Sequence, residues 1–278
     1  MTSAHALRSG ALRTAILVPA LAVTLFPAFW MIVTSFKTPA EVFQSPPTFW
    51  PHAATLEAYR SVFATRPMAL FLFNSLVVSL GATIVAVVLG ALAAYGFSRF
   101  VIRGAAWFLI ALLITKMLPE TLLIVPFFKL FSTLGLIDTR AALILAYSTV
   151  TLPFALWMLI GFLDAIPRDI DEAAIVDGAS RLRTFWSVIV PLARPGLVAV
   201  AFFTFIASWN SYLWALVLTT SPEKFVISVG VANMVGEYRV QWNELMAASV
   251  IATIPALILF SLFSRHLVTA ITAGAVKG

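Results

Sequence analysis

The chain has 278 residues, of which 61% are hydrophobic and only 11% charged, with a formal net charge of +6. A soluble domain averages about 25% charged and 45–50% apolar residues, so this composition excludes an ordinary soluble globular protein. The mean hydropathy is +1.00, and several apolar runs exceed the roughly 20 residues that a helix needs to cross a bilayer. An all-α, polytopic membrane protein follows, with one membrane domain and no separate soluble domain.

A basic balance in a soluble protein would point to nucleic acid. Here Lys and Arg sit at the borders of apolar runs, as the positive-inside bias requires, and no nucleic-acid partner is expected. The absence of cysteine excludes disulfides and thiolate metal sites. His5, His52 and His266 lie far apart in sequence, so no metal site and no catalytic residue is assigned.

The first apolar run follows Arg8 and Arg13, and Ala20-Leu21-Ala22 looks like a signal-peptidase site. The run continues through Trp30 and Val33 to Phe36, beyond the core of about 7–15 residues of a signal peptide. It reads as an uncleaved first span, 15–36. Segment 37–69 reads as a loop, irregular around Ser45-Pro46-Pro47 and Trp50-Pro51. The second span, 70–97, carries Ala82, Ala86, Gly90 and Ala94 at intervals of four, a flat face that lets another helix approach closely. The third span, 105–130, contains Lys116 and Glu120 on either side of Pro119, and the fourth covers 140–163. A polar loop, 164–196, precedes the fifth span at 197–219, and a second substantial loop, 220–244, precedes the sixth at 245–267. Prolines 19, 27, 119, 126, 153 and 255 fall in or near spans, where each frees a carbonyl and bends its helix.

Six spans put both termini on one side. That side collects ten Lys or Arg residues and the other seven, of which Lys37, Arg60 and Arg66 lie in a long loop that counts less. The short connection holding Arg99 and Arg103 votes most directly. The termini and the 164–196 loop are therefore placed in the cytoplasm.

That loop is a charged island in an apolar chain. After Pro167, Asp169 can cap a helix, with Glu172 three residues on completing a capping-box-like arrangement, and Asp171 adds to an acidic first turn. Gly178 is suited to a left-handed helix end. Ser180 can start a second helix, Arg181 to Val190, which Pro191 closes. Phe185, Trp186, Val188 and Ile189 would face the bundle, and the acidic turn would face the cytosol. Two readings stand at this point: a connecting amphipathic loop, or a surface presented to a soluble partner.

Glu172-Ala173-Ala174, then Gly178, then Val188-Ile189-Val190-Pro191 resembles the Glu-Ala-Ala (EAA) signature loop of bacterial ABC importer permeases, with Val in place of Ile and Leu at two positions. Trp209-Asn210-Ser211-Tyr212-Leu213-Trp214 and Leu134-Gly135-Leu136-Ile137-Asp138-Thr139 are similar to stretches of the carbohydrate importers of the maltose-transporter type. The tail, Ile271 to Gly278, resembles that of the smaller permease subunit of that type.

The resemblance implies a type I ABC importer permease in the inner membrane, one of two homologous permease subunits that form a pore for sugar. Two copies of an ABC ATPase subunit would bind below and an extracytoplasmic solute-binding protein above, with ATP and Mg2+ held by the ATPases and no cofactor in this chain. Glu172 and Asp177 would contact the ATPase, Ala173 and Ala174 would allow close approach, Gly178 would make the turn, and Pro191 would end the motif. The tail residues Gly274, Val276, Lys277 and Gly278 would reach the ATPase interface. Gly236, Glu237, Tyr238 and Arg239, in the outer loop, would reach the binding protein. The chain has no Gly-x-x-x-x-Gly-Lys-Ser/Thr phosphate loop, so it is not expected to be an enzyme.

Charges at bilayer depth are costly and pair or face water. Lys116 and Glu120 either neutralise each other at i,i+4 spacing or line the sugar pathway. Trp209, Asn210 and Tyr212 join the candidate pathway, as do Asn74 and Ser75, although a hydrogen bond between helices is favoured for Asn210. Two alternatives remain at this level: an ion-gradient-driven secondary transporter with Lys116 and Glu120 as its relay, or an importer permease for a non-sugar solute. A membrane-embedded enzyme is disfavoured by the absence of clustered His, Asp or Glu.

Overall fold

The computed structural model describes residues 2–236 and 240–275, with side chains for 14–236 and 240–264, and all regular structure among them is helical. The chain divides into two units, Met1–Met68 with Val231–Thr253, and Ala69–Gly230 with Ile254–Gly278.

In the first unit, α1 (Thr2–Ser35) contains Pro19 and Pro27, and its Thr14–Ser35 portion is long and apolar enough to cross a membrane. A short α2 (Pro39–Val42) starts at Thr38, whose hydroxyl accepts the Glu41 amide, and α3 (Glu57–Thr65) follows an irregular stretch that holds the prolines. The Ser61 hydroxyl donates to Glu244 at 2.6 Å, which ties α3 to the first turn of the last helix, α14 (Trp242–Ala275). Numbered between them are α4 (Met68–Arg99), α5 (Ala105–Met117), α6 (Glu120–Thr133), α7 (Arg140–Asp164), α8 (Asp169–Val176), α9 (Arg181–Thr184), α10 (Val190–Leu192), α11 (Arg194–Trp209), α12 (Leu213–Leu218) and α13 (Ile227–Ala232).

The second unit is organised on α4 and α7. The small-residue face behaves as expected: Ala82, Ala86 and Ala94 are buried, and a Cβ on Gly90 would meet Ala155 of α7 at 3.4 Å. One core cluster joins Val78 and Ala82 to Leu143, Tyr147, Trp214 and Leu218. A second joins Ala94 and Tyr95 to Leu156, Leu159, Phe185 and Ile189.

Four helices can cross a membrane unbroken, and six crossings result if each of two bent pairs counts as one. Two of the expected spans are not continuous helices. The third is not one helix over 105–130: α5 and α6 meet at 100°, because the ring of Pro119 removes a donor and holds Leu118 extended (ψ 133°). The fifth, expected over 197–219, stops at Trp209 and resumes as α12 at Leu213. Before it, Arg181–Leu192 and Arg194–Trp209 meet at 80°. Neither Pro nor Gly stands at 210–212. The carbonyl freed there, that of Ser211, accepts from the Tyr147 hydroxyl (3.1 Å) and the Ser228 hydroxyl (2.9 Å).

The 220–244 segment is partly folded. It contains a 3-10 turn, Pro222–Lys224, and α13. The buried Asn74 amide donates to the Glu223 and Phe225 carbonyls, and the Ser75 hydroxyl accepts the Ile227 amide at 2.6 Å. Asn74 and Ser75 are thus engaged in anchoring this segment. Asp138, in a left-handed conformation (φ 63°), accepts from the Thr220 and Ser221 amides and the Ser221 hydroxyl. Partial burial pushes its carboxyl upward, but the Ser221 and Thr220 hydrogen bonds outweigh this and hold it below the ordinary carboxylate value.

Candidate functional site

Three acidic residues open α8, but none caps it. The N-cap is Arg168, whose side chain makes no capping hydrogen bond, and Asp169 already lies inside the helix. The expected capping box is corrected accordingly. The other end is built as expected. Gly178 has φ +85°, its amide donates to the Ile175 carbonyl, and the Ala179 amide donates to that of Ala174, both at 3.0 Å. This pair of bonds is the Schellman arrangement, which satisfies carbonyls that a helix end leaves free. Ser180 then caps α9 through the Arg183 amide.

The second helix runs on past its expected end. After α9 it widens into a π turn, Phe185–Ile189, and continues through α10, so Pro191 sits among the first residues of α10 rather than closing the helix; the chain turns at Ala193. Phe185 and Ile189 are buried in the second core cluster, whereas Trp186 is half exposed.

The acidic turn is split between two faces, which corrects its expected orientation. Asp171 points inward: its side chain is 9% exposed and pairs at 2.9 Å with Arg99, 5% exposed, at the end of α4. The Tyr95 hydroxyl donates to the other Asp171 oxygen at 2.9 Å. Arg99 also donates to the Ser98 hydroxyl and to the Leu163 and Ile166 carbonyls, and Arg168 donates to the Ser98 carbonyl. A buried charge is tolerated only when paired and hydrogen-bonded, and this one is. The opposite face of α8 is uncovered among the described residues: Glu172, Ala173, Asp177 and Gly178 are exposed, Ala174 is partly so, and a Cβ on Gly178 would meet nothing within 4 Å.

The candidate pathway residues are brought together only in part. Lys116 donates to the Val150 carbonyl, and Glu120 accepts from the Trp214 indole at 3.1 Å, so the two charges serve different partners instead of bonding to each other. Both line a cavity of about 120 Å³ with Tyr147, Thr151, Ser208 and Ser211. Trp209 is buried and stacks on Phe205, away from that lining; Asn210 and Tyr212 are exposed. Asn210 caps α11 through its own amide, to Ile206 at 3.1 Å. Gly236 is exposed; Glu237, Tyr238 and Arg239 lie outside the described residues. Gly274 falls within α14, and Val276, Lys277 and Gly278 lie outside the described residues.

Residues that sequence reasoning missed are Tyr95, Arg99 and Asp171 behind α8, and Tyr147 and Ser208 in the cavity. Arg99 carried a signal, a lone guanidinium at a span border, but the border bias explained it before a pairing was considered. Tyr147 and Ser208 carried none, since hydroxyls are common in membrane helices. Among the described residues no group of His, Asp or Glu is placed to hold a metal ion.

Residues 86–273 match the profile of the binding-protein-dependent transport system inner membrane component family. The chain is 37% identical over 254 residues to the sulfoquinovosyl glycerol transport system permease of Agrobacterium fabrum, covering 91% of this chain and 89% of that one. It is 39% identical to an inner membrane ABC transporter permease of Escherichia coli (93% of each) and 38% identical to the trehalose/maltose permease of Thermococcus litoralis (92% of each). Among solved structures, a chain of a bacterial ABC transporter that imports the polysaccharide alginate superposes with a TM-score of 0.83 at 22% identity, over 95% of this chain and 98% of that one. With the family match covering more than half its length, the chain belongs to the binding-protein-dependent transport system inner membrane components.

Proposed function

We propose that this chain is one of two permease subunits of an ATP-driven importer for a sugar or oligosaccharide, and that α8 and the turn after it form the coupling helix that docks an ATPase. The observation that carries the reading is the two-sided build of α8. Its outer face presents Glu172, Ala173, Asp177 and Gly178 to solvent, while Asp171 and Arg99 fix its inner face to α4. A helix held rigidly on one face and bare on the other is suited to receive a displacement and pass it to a span. Sugar as cargo is supported by the relatives, whose names state sulfoquinovosyl glycerol and trehalose/maltose transport.

On this reading both termini and segment 164–196 are cytoplasmic. ATP and Mg2+ bind on two partner ATPase subunits, whose closure draws the coupling helices together and tips the pore outward. An extracytoplasmic binding protein delivers the sugar, with Gly236 to Arg239 reaching it, and Gly274 to Gly278 approach the ATPases. Lys116 and Glu120 line the pathway.

The test uses two substitutions at Gly178. Asn tolerates the left-handed backbone but adds bulk on the exposed surface, whereas Ala adds little bulk and strains the turn. Docking through this surface requires that Gly178→Asn impair binding-protein-stimulated ATP hydrolysis and uptake more than Gly178→Ala does, in complexes that still assemble. Normal uptake by Gly178→Asn would refute the assignment.

A further inference from the structure

The first unit holds a second polar cavity that the coupling reading does not use. It encloses about 220 Å³ between the end of α1, the 37–47 segment and the start of α14, and is lined by Trp30, Thr34, Lys37, Glu41, Trp242 and Met246 among others. The two charged groups are buried and held from behind. The Lys37 ammonium donates to the Thr48 carbonyl and lies 4.5 Å over the Trp30 ring. Glu41 accepts from the Thr48 hydroxyl at 2.8 Å and the His52 amide at 3.0 Å. The His52 amide, the largest influence, holds its carboxyl below the ordinary value, so Glu41 is an anion.

Thr34 supplies the decisive detail. Many helical threonines return their hydroxyl to the carbonyl four residues back, as Thr24, Thr83, Thr151, Thr219 and Thr253 do, whereas Thr34 and Thr204 do not. Thr34 is 5% exposed and its hydroxyl has no partner, although its neighbour Ser35 bonds both the Ile32 carbonyl and Tyr59. A buried hydroxyl left unmet is costly, and such groups are met in practice by water or a ligand.

We propose that this cavity is a subsite for a single sugar ring on the 37–69 side of the membrane, the outer side on the topology above. The Trp242 indole offers an apolar surface to ring C–H groups, Glu41 accepts from hydroxyls, and Lys37 and the free Thr34 hydroxyl complete the hydrogen bonding. The volume is below the roughly 300 Å³ at which pockets for drug-sized ligands begin, which suits one ring and not a chain of rings. The proposal rests on the reading of the chain as a sugar-importer subunit, and would give the sugar a contact on this subunit before it enters the pathway.

The assembled complex, in nanodiscs free of glycolipid and of sugar-headed detergent and without binding protein, is titrated with glucose, trehalose and maltose by saturation-transfer NMR. Transfer to at least one sugar is expected. Thr34→Val, which removes an unmet hydroxyl and keeps the shape, weakens it about tenfold without lowering thermal stability. Trp242→Ala weakens it as well. No transfer in the wild type, or binding within twofold of wild type in both variants, overturns the proposal. Uptake with binding protein is measured in parallel. Sugar uptake without transfer sinks the subsite and leaves the importer reading standing, whereas absence of uptake for every sugar the binding protein holds sinks the importer reading itself.

Discussion

Removing Arg99 should loosen α8 far more than neutralising its partner Asp171. The two side chains are 5% and 9% exposed and bonded at 2.9 Å. Truncating one member of a buried pair costs about 3–5 kcal/mol, because the other is left charged and dry. Arg99→Met leaves four acceptors short of a donor: one Asp171 oxygen, the Ser98 hydroxyl, and the Leu163 and Ile166 carbonyls. Tyr95 alone remains on Asp171. Asp171→Asn is milder, since the amide oxygen still accepts and Arg99 keeps both carbonyls and Ser98; the loss is one charge-assisted bond, about 1.5–3 kcal/mol. At about 1.4 kcal/mol per tenfold, amide exchange over 169–176 should accelerate roughly 100- to 1,000-fold or more in Arg99→Met and about ten- to 100-fold in Asp171→Asn. Hydrogen exchange by mass spectrometry on the membrane-embedded complex reads both. Equal acceleration in the two variants, or none in Arg99→Met, would refute the account of Arg99 as the central donor.

Three further outcomes are expected. A Cβ on Gly196 would lie 2.4 Å from Cγ of Phe162, so Gly196→Ala should cost about 1–3 kcal/mol in thermal unfolding, and together with Phe162→Ala, which removes that Cγ, it should cost less than the sum of the two changes alone; additive costs would place the strain elsewhere. Because the folded Asp138 carboxyl is held low, its stabilising bonds to 220–221 are complete above the unfolded value of about 3.8 and are lost as pH falls through the lower folded value. Wild type should therefore exceed Asp138→Asn in unfolding midpoint at pH 6 and lose that margin toward pH 3; a constant margin would deny the linkage. The Trp214–Glu120 bond should appear as a coupling of about 0.5–1.5 kcal/mol in a double-mutant cycle of Trp214→Phe and Glu120→Gln, and additive single effects would mean that the bond contributes nothing.

Much of the fold was legible because its signals are local. Apolar runs located the four long, unbroken apolar helices, the interval of small residues on α4 announced its packing on α7, and Gly178 and Ser180 stand where a helix ends and the next begins. The break at Pro119 carried a mark in the sequence, but its 100° angle depends on how α5 and α6 each pack. The exposed face of α8 was legible residue by residue, and its buried face was not. Asp171 looked like one more helix-dipole acid, and only the fold brings it to a guanidinium 72 residues away. Asn74 and Ser75 looked like sugar ligands for the same reason: polar groups in a span advertise a need for partners without saying which.

The interruption between Trp209 and Leu213 is held open from outside. No residue at 210–212 forbids a helix, yet the chain opens there and the Ser211 oxygen rests on two hydroxyls from elsewhere in the unit, those of Tyr147 and Ser228. The opening is thus enforced by its surroundings rather than written into its own residues. Such a joint is conditional: withdraw either hydroxyl and the local preference for a continuous helix regains weight. The interruption thus needs no proline or glycine at 210–212 itself, only the two hydroxyls that meet the Ser211 oxygen.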